Sequence, residues 1–141
     1  MTEDLSRLPR HPARDAARRS VEAIEAGDKE AWLALFTDDG IVEDPIGASM
    51  FDPEGRGHRG RAAIAAFYDN VIAQGDVQFS IRESYAAGAE CANVGTITTI
   101  LPDGTRAVID GVFTYRVDDD GRLVALRAYW ETDAMRLERP S

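Results

Sequence analysis

Apolar positions follow two periods along this chain, helical in the first half and alternating in the second. Ala13, Ala16, Ala17, Ser20, Val21 and Ile24 fall on one helical face, and Gly27 supplies a stop. Asp28 is placed to cap a second helix through Trp32, Leu35 and Phe36, giving a helical hairpin. Ile41 to Asp44 is a short extended run ended by Pro45, and 47–60, rich in Gly, Asp and Pro, reads as a loop. A third helix is predicted from Arg61 to Gln74, with Ile64, Phe67, Tyr68, Val71 and Ile72 on its apolar face. Four strands follow, at Val77 to Ser84, Glu90 to Leu101, Arg106 to Val117 and Arg122 to Glu131. Turn signals at Pro102-Asp103-Gly104 and at Asp118 to Gly121 make the last three an antiparallel meander. Helices first and a meander after them predict an α+β fold: a strongly curved, mainly antiparallel sheet wrapped around three helices, enclosing a cone-shaped apolar pocket.

The 141 residues fit one domain. Residues 1–12 lack apolar periodicity and carry two prolines, so they are expected as a flexible arm before a single domain at 13–141. Hydrophobic residues make up 44% of the chain, enough for one core and one internal cavity. No run is long enough to span a bilayer, and no apolar export segment stands at the N-terminus, so a cytoplasmic location is expected. A net charge of −9 repels phosphate backbones and argues against nucleic acid as a partner. Cys91 is the only cysteine, which excludes an internal disulfide and suits a small buried hydrophobe. Both histidines, His11 and His58, lie in polar segments expected to be exposed, so no histidine metal site is expected. The run Asp118-Asp119-Asp120 reads as a solvated hairpin turn rather than a cation site.

Asp44 is the leading candidate for chemistry. As an Asp-Pro element it has a plain alternative, a turn whose carboxylate satisfies nearby backbone donors. Strand alternation nevertheless puts it on the face of Val42, so burial of Val42 carries the carboxylate inward too. Burial would raise its pKa toward that of a general base. The aromatic residues Trp32, Phe36, Phe67, Phe79, Phe113, Tyr115, Tyr129 and Trp130 are candidates either for core or for the lining of a ligand cavity.

The run Thr37-Asp38-Asp39-Gly40-Ile41-Val42-Glu43-Asp44-Pro45-Ile46-Gly47, then Ala65-Ala66-Phe67-Tyr68, Gly121-Arg122-Leu123 and Ala128-Tyr129-Trp130 resemble the bacterial ketosteroid isomerases. These belong to the nuclear transport factor 2-like, or SnoaL-like, superfamily. The run Gly111 to Val117 adds a likeness to an actinobacterial, mycobacterial-type subgroup. The resemblance implies a curved sheet around three helices, a conical pocket, and an aspartate base that moves a proton across a dienolate. It places the base at Asp44, a tyrosine supporting the oxyanion network at Tyr68, and a tryptophan beside the base at Trp130. It also puts the two oxyanion donors, a tyrosine and an aspartic acid, at Ser20 and Phe113. Neither residue can do that work as it stands, since Ser20 is short and Phe113 has no donor. Asp110 is the candidate replacement, although alternation sets it opposite to Phe113 unless a bulge at Gly111 reverses the parity. Ser20, Phe36, Phe67, Phe113, Trp130 and Asp110 are therefore the expected substrate-binding set.

The expected function is a cofactor-independent steroid Δ-isomerase-like activity with an atypical oxyanion hole. No phosphate-binding glycine loop or metal-ligand set is present to imply a cofactor. The alternatives are a non-catalytic binder of a steroid or similar apolar molecule, a polyketide cyclase or dehydratase on the same fold, and an interaction domain. The resemblance also implies a homodimer.

Overall fold

His11 and Pro12 start the first helix. The His11 Nδ1 accepts from the Ala13 N–H at 3.1 Å, and Pro12 needs no such partner at the first helical position. The computed structural model describes residues 7–140, so half of the arm expected at 1–12 lies outside the described residues, and Pro12 belongs to the first helix instead. Helix α1 (Pro12–Glu25) buries the predicted stripe of Ala13, Ala16, Ala17, Ser20, Val21 and Ile24, and Gly27 turns the chain at φ +67°. Asp28 caps α2 (Lys29–Leu33) by accepting from the Ala31 N–H at 3.0 Å. This helix stops three residues short of Phe36, which was predicted within it. Phe36 instead opens strand β1 (Phe36–Glu43), fully buried and in register with Leu123. Pairing with a distant strand overrides local helical preference there. Helix α3 (Arg61–Asn70) also ends early and passes through a single 3-10 turn at Ile72–Gln74.

The sheet has seven strands: β1, β2 (His58–Arg59), β3 (Asp76–Ala87), β4 (Glu90–Ile100), β5 (Arg106–Val117), β6 (Leu123–Tyr129) and β7 (Arg136–Glu138). Their order is β2-β1-β6-β5-β4-β3, with β7 pairing β5 beyond the end of β6. The meander from β4 to β6 is antiparallel as predicted, β3 joins β4 antiparallel as well, and β1 joins β6 in parallel. Neither the two-residue β2 nor β7 was expected from the sequence.

The sheet folds sharply over the helices at one crease. Gly95 faces Gly111 across β4 and β5, and a bulge interrupts β3 between Ile81 and Glu83 beside them. A Cβ on Gly95 would run into the Ser80 carbonyl oxygen, and one on Gly111 into the Tyr129 carbonyl oxygen. Glycine is required at both because neighbouring backbone comes this close. The pairing of β4 with β5 runs through Gly111 without a shift, so no bulge reverses the parity of β5. Odd-numbered positions from Ala107 to Tyr115 face the concave side, and even-numbered ones face away. Among the described residues no helix is long and apolar enough to cross a membrane.

Candidate active site

The concave side of the sheet, α1, α2, α3 and the segment around Met50 enclose a cavity of about 460 Å³. That lies within the ordinary range for a small-molecule site. Its walls are chiefly apolar, and among the described residues Asp44 is the one carboxylate that lines it. The mouth carries Met50 and Leu137, both exposed, while Trp32, Leu126, Phe113 and Tyr115 line it deeper within.

Asp44 lies one residue beyond β1. Val42 is fully buried and pairs with Leu126, so the alternation that turns Val42 inward turns Asp44 inward as well. Glu43 points to the opposite face, where Arg127 binds its carboxylate at 2.9 Å. Protein surrounds the Asp44 side chain, and the surface it keeps belongs to the cavity. Burial pushes its pKa above the ordinary aspartate value. The Trp130 indole N–H, donating to Oδ1 at 2.6 Å, and the neighbouring His58 oppose that rise. Among the described residues Oδ2 has no hydrogen-bond partner. The arrangement is a carboxylate oriented by one strong donor, with its other oxygen turned to an apolar space.

The residues expected at the site divide. Asp44, Phe67, Phe113 and Trp130 line the cavity. Phe36 does not: it is core, set edge-on to Trp32 with ring centres 5.0 Å apart. Tyr68 is also held out of the cavity lining. Its ring packs on Trp32 at 5.6 Å, and the charges acting on its hydroxyl are Asp28, Lys29 and Asp69. Those residues stand at the start of α2 and the end of α3, and none of them lines the cavity. Asp110 faces outward, as unbroken strand parity demands. Its half-exposed carboxylate accepts from Thr96 and pairs with Arg136 at 2.6 Å, which holds its pKa below the usual carboxylate value. His58, expected in an exposed segment, instead packs on Phe67 with ring centres 4.6 Å apart. Cys91 is buried, with weak contacts to Ser84 and Asn93 at 3.4 Å.

Ser20 is completely buried behind the cavity wall. Its Oγ accepts from the Trp32 Nε1–H at 3.0 Å, and its hydroxyl lies near enough to the Tyr115 phenol to act on its ionisation. Ser20→Ala would strand a buried indole donor, so a loss of about 1–3 kcal/mol is expected in denaturant unfolding. An unchanged unfolding midpoint would show that the Trp32 N–H has another acceptor.

Tyr115 is a polar lining residue that sequence reasoning passed over, entering there only as one aromatic among eight; Asn70, Gln74 and Thr99 are others. The signal was available. Tyr115 stands two residues beyond Phe113 on the same strand, so alternation puts both on one face. Burial and the charge of Asp44 drive the phenol pKa well above its ordinary value, which keeps Tyr115 protonated.

The SnoaL-like domain family matches residues 17–126. A steroid Delta-isomerase from Nocardioides simplex is 30% identical over 115 residues, covering 82% of this chain and 86% of that protein. A Δ5-3-ketosteroid isomerase from Mycobacterium sp. superimposes with a TM-score of 0.86 at 42% identity, over 89% of this chain and 98% of that one. A Mycobacterium tuberculosis protein solved in complex with estradiol-17beta-hemisuccinate gives a TM-score of 0.86 at 36% identity, over 90% of this chain and 99% of that one. With its curved sheet, three helices and conical cavity, this chain belongs to the SnoaL-like family on the nuclear transport factor 2-like fold, and is ketosteroid isomerase-like within it.

Proposed function

We propose that the protein shifts a carbon–carbon double bond in an apolar 3-oxo steroid, with Asp44 as the proton-transfer base. The observation that carries this reading is the isolation of Asp44. Among the described residues it is the only carboxylate on an apolar cavity wall, and burial raises its pKa while Trp130 holds one oxygen. Oδ2 takes a proton from the carbon between the carbonyl and the double bond, and the electron pair moves through to the carbonyl oxygen. The dienolate then recovers that proton at the far carbon of the original double bond, and Asp44 returns to its ionised form. Nothing is consumed, so no cofactor enters the balance.

As part of the same reading, the domain comprises residues 13–141, works in the cytoplasm and forms a homodimer. The steroid isomerases among its relatives support the reaction class, and the estradiol-hemisuccinate complex of one relative supports a steroid-shaped ligand. The test is incubation of the purified protein with a Δ5-3-keto steroid, following conjugated enone formation by ultraviolet absorbance. Saturable turnover without added cofactor is expected. Saturable steroid binding without turnover would replace the isomerase with a binding protein, and the absence of both would remove steroids as ligands.

A further inference from the structure

We infer that Tyr115 supplies the hydrogen bond to the ketone oxygen of the bound ligand, with Ser20 and Trp32 fixing its orientation. The inference deepens the isomerase reading and relies on it for the identity of the ketone. The two residues where oxyanion donors were expected contribute nothing directly: Phe113 has no donor and Ser20 lies behind the wall. Tyr115 lines the cavity, and the buried Ser20 hydroxyl lies close to its phenol oxygen.

Sheet register fixes where this phenol sits relative to the base. Cys91, Tyr115, Leu126 and Val42 form one inward-facing row across β4, β5, β6 and β1. Asp44 follows Val42 by two residues on the same face. Tyr115 therefore lies two strands across from the base and two residues along, roughly 12 Å at the backbone by ordinary strand spacing. Their side chains rise over the same floor, where Leu126 neighbours Tyr115 in its row and Phe113 stands level with Asp44 across Ala128. A ring placed on that floor presents its carbonyl to the phenol and an adjacent carbon to the carboxylate.

The hydrogen-bond chain behind Tyr115 has a direction. The Trp32 indole only donates, and it donates to Ser20 Oγ at 3.0 Å. The Ser20 hydrogen is then free to go to the Tyr115 oxygen, which leaves the phenol hydrogen for an acceptor in the cavity. Each donor in such a chain polarises the next and strengthens the last bond. Tyr115 keeps its proton throughout. It stabilises the dienolate oxygen by hydrogen bonding alone, so the proton balance stays with Asp44.

The experiment compares wild type with Tyr115→Phe, which keeps the ring and removes the donor. In infrared difference spectra of a bound conjugated 3-keto steroid, the wild-type carbonyl stretch is expected well below its frequency in an apolar solvent. Tyr115→Phe is expected to return it toward the solvent value. In the turnover assay the variant is expected to lose about 10²–10³-fold in kcat, the usual effect of one oxyanion donor, with KM changed by less than about fivefold. Ser20→Ala, which keeps the phenol but loosens it, is expected to move the stretch part of the way and to lower kcat about fivefold. A Tyr115→Phe spectrum identical to wild type would overturn the assignment, as would undiminished turnover in that variant. A Tyr115-dependent carbonyl shift without wild-type turnover would uphold the donor and reject the isomerase reading instead.

Discussion

Asp44→Asn is expected to lower kcat for the double-bond shift by about 10²–10⁴-fold, the range for loss of a positioned acid–base group, while making the folded protein more stable at neutral pH. The two effects have one cause. Asparagine keeps the size of the side chain and an oxygen for the Trp130 N–H, but cannot take up a proton from carbon. It also carries no charge into an apolar wall. The Asp44 pKa is raised in the folded state above its ordinary value, chiefly by burial. The native state therefore holds this proton more tightly than the unfolded chain does. Its contribution to stability is full below the ordinary carboxylate range and is lost as pH rises through the raised value. The gain from Asp44→Asn should accordingly be largest at neutral pH and shrink as the pH falls toward that range. Wild-type kcat/KM should fall with acid through the same raised pKa, because only the ionised base works. Denaturant unfolding from pH 4 to pH 8, run beside steady-state kinetics, reads both. Retained turnover in Asp44→Asn would end the role of this residue, and a neutral-pH loss of stability would contradict its account as a costly buried charge.

Much of this layout follows from periodicity, and the failures have specific reasons. The stripe on α1 and the inward turn of Asp44 depend only on spacing, 3.6 for one and 2 for the other, and both were legible. The outward turn of Asp110 was legible for the same reason, provided no bulge lay at Gly111. Phe36 and Tyr68 were misplaced because pairing and packing choose among apolar faces in ways that spacing does not. Phe36 is claimed by Leu123 on β6, and Tyr68 by the edge of α2. His58 packs on Phe67 only because β2 pairs β1 at Val42, a contact that the loop-like composition of 47–60 conceals. Tyr115 shows a further limit. Its face was readable, yet its partnership with Ser20 joins a helix to a strand 95 positions later, which no local pattern records.

Gly111→Ala should damage the site from outside it. The new methyl group would run into the Tyr129 carbonyl oxygen and come within 3.1 Å of the Trp130 Cβ, so β6 must move just where Trp130 begins. A stability loss of about 1–3 kcal/mol is expected from this overpacking. A displacement of about 1 Å at the indole is expected to lower kcat on the order of 10²-fold, since orientation contributes that much at such distances. The Trp130 bond also holds the Asp44 pKa down against burial, so weakening it should carry the acid limb of kcat/KM to higher pH. Gly95→Ala is the matched comparison. It lies opposite Gly111 in the same crease, but its methyl group meets Ser80 and Ile81 on β3, on the side away from Trp130. Comparable destabilisation is expected there, with the acid limb unmoved and a smaller loss of kcat. Equal losses of kcat and equal pH profiles in the two variants would mean that the crease only shapes the cavity. A shift confined to Gly111→Ala would mean that close packing of β5 against β6 aims the tryptophan at its carboxylate.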